Sequence, residues 1–435
     1  MTIGAQPDRS VRLKAAVEPV DDAIDLVDAY AQPGGFLFER HGAGVVAAGA
    51  ARTIVVPGGP DQVARASDLA ERALADISWA GEHPPCVVGA LPFDGRTPAT
   101  LVVPETLIVK QPDGLAWRLT VNGGARLSAP DDVRTGAGSG GRVANGAPRA
   151  MDVTPIPAPE AFALAVEAAR RRIEAGDLEK VVLARMLVVR GDRPFDRPAL
   201  LGRLRELEPD AYTFAVHGFV GATPELLIER TEDRVRSNPL AGTIRRASVP
   251  AEDAAAAERL LASAKDRNEH GMVVAAVAEG LAPVCRSITA PRDPSILGTG
   301  TVWHLSTEIE GVLREPAPSA LRLASLIHPT PAVCGTPPAT AMEAIREMEP
   351  FDRTLYAGIV GWMDAAGNGA WAVALRCAEV QGAMASLFAG AGIVEGSDPQ
   401  AELAETDAKF ASMLAALGAH TGDGPGVRGN GPRAR

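Results

Sequence analysis

The strongest pattern in the chain is the apolar run at 180–189, KVVLARMLVV, which predicts a strand. Alternation sets Lys180, Val182, Ala184 and Met186 on one face, with Val181, Leu183 and Arg185 on the other. Shorter β-like runs precede it at 36–40, 53–56, 86–93, 99–103, 106–109 and 115–121, and Pro112-Asp113-Gly114 marks a turn. So many runs with so few helices between them predict antiparallel strands rather than βαβ units. Further strands are expected at 212–217 and 226–231, the second after a turn at 221–224. Residues 356–363 and 370–380 read as a hairpin about Gly367-Asn368-Gly369, with 385–388 completing a three-stranded meander.

Helical spacing covers 21–30, 60–76, 160–175, 251–280, 318–327, 338–348 and a last helix that ends near Leu417. Asp398 suits the N-cap of that last helix and Pro399 its first position, where a missing N–H costs nothing. Residues 1–20 read as a flexible start and 419–435 as a flexible tail. Between them, 21–418 form one domain, with a Gly- and Ala-rich loop at 134–151 inside it.

Composition narrows the class. A chain 46% hydrophobic and 22% charged, with no apolar run of membrane-spanning length, is expected to be a soluble globular protein. Its net charge of −11 argues against a nucleic-acid or anionic-membrane partner. Any anionic ligand must then be met locally by Lys, Arg or a metal. Cys86, Cys285, Cys334 and Cys377 lack the spacing of a zinc site or a disulfide framework and suit a reducing cytoplasm. The N-terminus has no signal-peptide core, so the cytoplasm is the expected location.

Candidate chemistry begins at 387–409, LFAGAGIVEGSDPQAELAETDAK. A short strand runs into Gly390, Gly392 and Gly396, and the helix beyond carries Glu402, Glu405 and Lys409 on one face. Such a set can hold a hard cation and an anionic ligand. It can equally be a solvated face whose Glu–Lys pair is worth about 0.2–0.5 kcal/mol. Gly390-Ala391-Gly392 begins like a dinucleotide fingerprint, but the third glycine comes one position late and no parallel βαβ unit surrounds it. The patch ASAKDRNEH at 262–270 pairs Lys265 with Glu269 in the weaker orientation, as a solvated face also would. Lys180 opens an apolar strand, either snorkelling to water or serving chemistry. Glu225 sits between a turn and an apolar strand, where burial would raise its pKa; an exposed turn residue is the alternative. His328-Pro329-Thr330-Pro331 is a stiff link that either positions a ligand or merely connects.

Taken together, KVVLAR, GATPELL, SNPLAGTIRR, LLASAKDRNEH, VWHLST, HPTPAVCGTP, FDRTLYAGIVGWMD, ALRC, FAGAGIV and ELAETDAK resemble the successive motifs of isochorismate synthases. These belong to the chorismate-utilising enzymes, with salicylate, anthranilate and aminodeoxychorismate synthases. The likeness covers about 158–416 in order; the N-terminal third is similar only through GALPFD. It implies one large α/β domain of the α+β type, with stacked antiparallel sheets flanked by helices around a deep cleft. It also implies a magnesium-dependent, reversible conversion of chorismate to isochorismate, by addition of water at C2 and loss of the C4 hydroxyl.

By resemblance, Lys180 is the general base and Glu225 the general acid, while Glu269 and Glu405, with Glu402 in support, hold Mg2+. Ala241, Gly242, Thr243, His304, Tyr356, Arg376, Ala389, Gly390, Ala391, Gly392 and Lys409 match positions that line or hold the substrate. The resemblance further implies a monomer that passes its product to a separate isochorismatase, lyase or menaquinone enzyme, for siderophore, salicylate or menaquinone synthesis. HPTPAVCG resembles isochorismate synthases rather than the HPxGxxxG of anthranilate-type enzymes, and a lysine at 180 favours water over ammonia. Ala264 departs from the glutamate often found there and touches no assigned role. Salicylate synthases share Lys180, Glu225 and both metal glutamates, so that reading stays open. An anthranilate-type synthase and a non-catalytic chorismate-binding protein are the remaining alternatives.

Overall fold

In the computed structural model, which describes residues 13–30, 34–122, 148 and 151–419, the Lys180–Gly191 strand pairs with Met384–Ile393. Val181 lies opposite Ile393 and Arg190 opposite Met384. Both strands belong to a 12-stranded sheet. From one edge it runs through Lys14–Pro19, Ala116–Asn122, Thr106–Lys110, Ala43–Ala48, Phe36–Arg40, Tyr212–Val216, Phe219–Thr223, Cys377–Gln381, Met384–Ile393, Lys180–Gly191 and Gly335–Thr336. Met151–Ile156 pairs with Lys180–Gly191 beyond the reach of Gly335–Thr336. A 9-stranded sheet contains the hairpin Ile359–Asp364 and Gly369–Val373. A 3-stranded sheet joins Leu240–Arg245, Val302–Ser306 and Ser295–Gly298. The named strands pair antiparallel, as the sequence predicts.

Phe36 and Phe38 of the large sheet share one core with Val87, Leu101 and Val360 of the 9-stranded sheet, so the two sheets stack. The other face of the large sheet is covered by the helices Leu26–Ala29, Arg197–Leu207 and Pro399–Leu417. Leu200, Leu201 and Leu204 meet Leu37, Leu187 and Leu387 there, each buried leucine contributing about 1.5–3 kcal/mol. The last helix starts as expected. Asp398 accepts from the Gln400 and Ala401 N–H groups at 3.0 and 2.8 Å, Pro399 holds the first position, and Gly418 closes the helix with φ of 83°. Among the described residues, no helix is long and apolar enough to cross a membrane.

Five local expectations differ from the structure. Lys14–Pro19, expected to be loose, pairs with Ala116–Asn122. The helix predicted over 251–280 is two helices, Pro250–Ala262 and Ala264–Leu281, which break where Ser263 turns extended and caps the second through Asp266 N. Gly221 belongs to a strand, where a Cβ would come within 2.6 Å of the Phe214 ring. The reversal lies earlier, at His217 and Gly218, with φ of 48° and 90°. The predicted meander is split, because Gly369–Val373 lies in the 9-stranded sheet and Cys377–Gln381 in the 12-stranded one. Only Leu26–Ala29 of the expected 21–30 is helical. Residues 1–12, 134–147, 149, 150 and 420–435 lie outside the described residues.

Candidate active site

The alternation read from the sequence turns Lys180 and Val182 toward the side of the sheet on which a cleft is lined by Val182, Glu225, Glu269, His304 and Arg376. Lys180 is fully buried, and its Nζ lies 2.8 Å from Glu269 Oε1. Opposite Val182 on the neighbouring strand stands Gly392. A Cβ there would come within 2.5 Å of Glu269 Oε1 and 3.1 Å of Lys180 Cε, so the ion pair occupies the space that a side chain would take. At Gly390 a Cβ would meet the Tyr356 hydroxyl at 3.0 Å. Tyr356 stacks on Phe388 with ring centroids 5.4 Å apart, giving the cleft an aromatic wall.

The opposite wall comes from the small sheet. Gly242, at φ of 74°, makes a bulge in Leu240–Arg245 that shifts the register so that Thr243 faces His304. His304 Nδ1 lies 3.1 Å from Thr243 Oγ1 and 3.3 Å from the Gly242 carbonyl, while Nε2 lies 2.9 Å from an Arg376 NH2 nitrogen. Arg376 can only donate, so the network assigns Nε2 as acceptor and the proton to Nδ1. Burial, then Arg376 and Lys409, push His304 well below its ordinary pKa and keep it neutral. Arg376 stands where the chain crosses between the two large sheets, at φ of 47°. A left-handed arginine costs about 1–2 kcal/mol. Its buried Nε has no partner, which leaves a donor for a ligand.

Glu225 directly precedes the Leu226–Thr231 strand and is 3% exposed. Burial raises its pKa to about 8, although Lys180, the Leu240 backbone, Lys409 and Arg376 all pull it back. It is therefore a protonated acid at neutral pH.

Three carboxylates complete the cleft, each facing a lysine. Glu269 holds Lys180, Glu405 holds Lys409 at 2.6 Å, and Glu402 lies 3.6 Å from Lys265. Lys409 also donates to the Gly390 carbonyl at 2.7 Å. Burial and the nearby Glu405 raise Glu402 to about 7, against the pull of Ser397 and Lys265. Among the described residues, no three His, Cys, Asp or Glu side chains close into a finished metal cage. The donor set still fits a hard cation. Glu269, Glu402 and Glu405 line one cleft and crowd one another's charge, and magnesium takes one or two carboxylates with waters and ligand oxygens.

The cleft thus brings together Glu225, Ala241, Gly242, Thr243, Glu269, His304, Tyr356, Arg376, Ala389, Gly390, Gly392, Glu402, Glu405 and Lys409, with Lys180 beneath Glu269. Ala391 does not line it, and its methyl joins the apolar core. Lys265 and Asp266 line the cleft as well, a role that the charged patch at 262–270 did not disclose. Lys265 faces Glu402 rather than its i+4 neighbour Glu269.

The family profile for chorismate-binding enzymes matches residues 8–418. The chain belongs to that family. Among chorismate-binding enzymes, the isochorismate synthase DhbC of Bacillus subtilis is 40% identical over 403 residues, 89% of this chain and 94% of its own. The DhbC crystal structure from Bacillus anthracis has a TM-score of 0.78 at 38% identity, covering 91% of this chain and 99% of that one. MenF from Escherichia coli, a menaquinone-specific isochorismate synthase, has a TM-score of 0.77 at 24% identity over 94% of this chain and 95% of its own, a likeness of fold.

Proposed function

We propose that this chorismate-binding enzyme is an isochorismate synthase, an isomerase that interconverts chorismate and isochorismate with magnesium. The observation that carries the reading is the placement of Glu225, a buried carboxyl whose pKa burial raises to about 8, in the cleft whose Glu269 pairs with Lys180. Lys180 takes a proton from water, whose oxygen bonds to C2. The ring double bonds shift, the C4–O bond breaks, and Glu225 gives its proton to the departing hydroxyl. One water enters and one leaves, so the step is balanced and runs in either direction. Arg376, through its unpartnered Nε, and Lys409 supply positive charge for the substrate carboxylates. Glu269 and Glu405, with Glu402 in support, would hold the metal. When bound, it supplies charge for the ring carboxylate. The role of Lys180 requires it to leave its pair with Glu269.

The likeness to a 2,3-dihydroxybenzoate-specific isochorismate synthase favours a product passed to a separate downstream enzyme on the way to 2,3-dihydroxybenzoate. Purified protein with chorismate and magnesium should give isochorismate, with little salicylate or pyruvate, and isochorismate should return chorismate. Stoichiometric pyruvate release would move the assignment to salicylate synthase.

A further inference from the structure

The Lys180–Gly191 strand has an incomplete neighbour on the edge away from Met384–Ile393. Gly335–Thr336 covers Lys180 and Val181, the Cys334 carbonyl takes the Val182 N–H at 2.8 Å, and Met151–Ile156 resumes only at Met186. The gap falls directly behind Val182, which lines the cleft. Two side chains fill it. Glu349 Oε1 accepts from the Ala184 N–H at 2.7 Å, and an Arg353 NH2 donates to the Val182 carbonyl at 2.8 Å. The two side chains also grip each other as a fork, with Arg353 Nε to Glu349 Oε2 at 2.8 Å and NH2 to Oε1 at 2.5 Å. Their side chains are 3% and 4% exposed.

The fork reaches further. Arg353 NH1 donates to the carbonyl of Val333, a cleft residue, at 2.9 Å. The guanidinium lies 4.5 Å from the Phe93 ring centroid and 5.9 Å from that of Tyr356. One buried ion pair therefore ties the strand that carries Lys180 to two parts of the cleft wall. A fold needing only an edge cover could have extended Gly335–Thr336 by two residues. A side-chain fork instead fixes the strand laterally against Val333 and Tyr356.

We propose that Glu349 and Arg353 are a positioning pair, which sets Lys180 and the Val333–Tyr356 wall at reacting distance without touching substrate. The inference rests on the isochorismate synthase reading for its kinetic arm only. A lateral slip of this strand moves Lys180 more than it moves Arg376 or Lys409, which hold the ligand. Loss of the pair should therefore act on turnover.

The test uses Glu349→Gln, which keeps an oxygen for Ala184 but loses the charge, and Arg353→Lys, which keeps the charge but loses the fork. Both should elute as wild type and unfold cooperatively, at a lowered midpoint, because each leaves a buried charge less well paired. Hydrogen exchange should quicken in the peptide spanning 180–186, kcat should fall ~10- to 100-fold, and KM for chorismate should stay within ~3-fold. Folded variants with wild-type kcat and unchanged exchange would overturn the proposal. Failure of both variants to fold would also overturn it, by making the pair a folding staple. If wild type itself does not convert chorismate, the functional reading fails, and the exchange data still decide whether the pair clamps the strand.

Discussion

Lys180 Nζ lies 2.8 Å from Glu269 Oε1, with 1% and 12% of the two side chains exposed. A buried pair of this kind is costly to break by removing one partner, about 3–5 kcal/mol. Here the pair joins the proposed base to a proposed metal ligand, so its two members should fail differently when changed.

Lys180→Ala and Glu225→Gln should each lower chorismate turnover at least ~10²-fold, the usual scale for a positioned proton-transfer group. Substrate affinity should change far less, because Arg376 and Lys409 are the proposed carboxylate anchors. Steady-state kinetics on folded variants check this, and near wild-type turnover in either would refute the assigned acid and base.

Metal removal gives a second test. Excess chelator should abolish turnover and magnesium should restore it. Glu405→Gln should raise the magnesium needed for half activity ~10-fold or more, as the loss of one of few anionic ligands implies. Full activity in chelator would remove Glu269 and Glu405 from the metal site.

The pH dependence follows from Glu225, held at about 8 against an ordinary 4.5. The native state binds a proton more tightly there than the unfolded chain does. The associated stability is fully present below about 4.5 and is lost as pH rises through about 8. Turnover should lose its acid over the same upper limb. Glu225→Gln should flatten the fall of the thermal midpoint between pH 5 and 8, and an unchanged slope would show that the carboxyl is not held protonated.

Gly392→Ala should be disproportionately harmful. Its methyl would come 2.5 Å from Glu269 Oε1 and 3.1 Å from Lys180 Cε. The methyl displaces a buried ion pair, so the melting temperature should fall while the fold is kept. Turnover should fall ~10²-fold through the displaced pair. A fully active Gly392→Ala enzyme would show that the cleft has room that the structure denies.

Much of the fold was legible where an apolar run forms a buried strand, as over Lys180–Gly191. The alternation at 180–189 put Lys180 and Val182 on one face, which the structure turns to the side of Gly392 and the cleft, and the Asp398 cap was read at its true position. The sequence was silent where backbone conformation overrides propensity. Arg376 turns the chain between sheets with a left-handed φ that no arginine advertises, and Ser263 breaks a helix inside an alanine-rich run. The 3-stranded sheet was missed because Leu240–Arg245 is bulged and partly polar, although it supplies a whole wall. Lys180 and Glu225 drew notice as misplaced charges, but only the ordered motifs gave them roles. Lys265 stayed hidden, since its partner Glu402 lies far along the chain.

The pairing of Lys180–Gly191 with Met384–Ile393 has a consequence for synthesis. The first strand leaves the ribosome long before its partner is made, and it is among the most apolar segments of the chain. Until Met384–Ile393 emerges, that edge has no lawful neighbour and can be claimed by another nascent copy. Yield should therefore depend on how long translation takes to cover that interval. Slow codons or scarce chaperone capacity between the two strands would deplete soluble enzyme without altering a single contact in the finished protein.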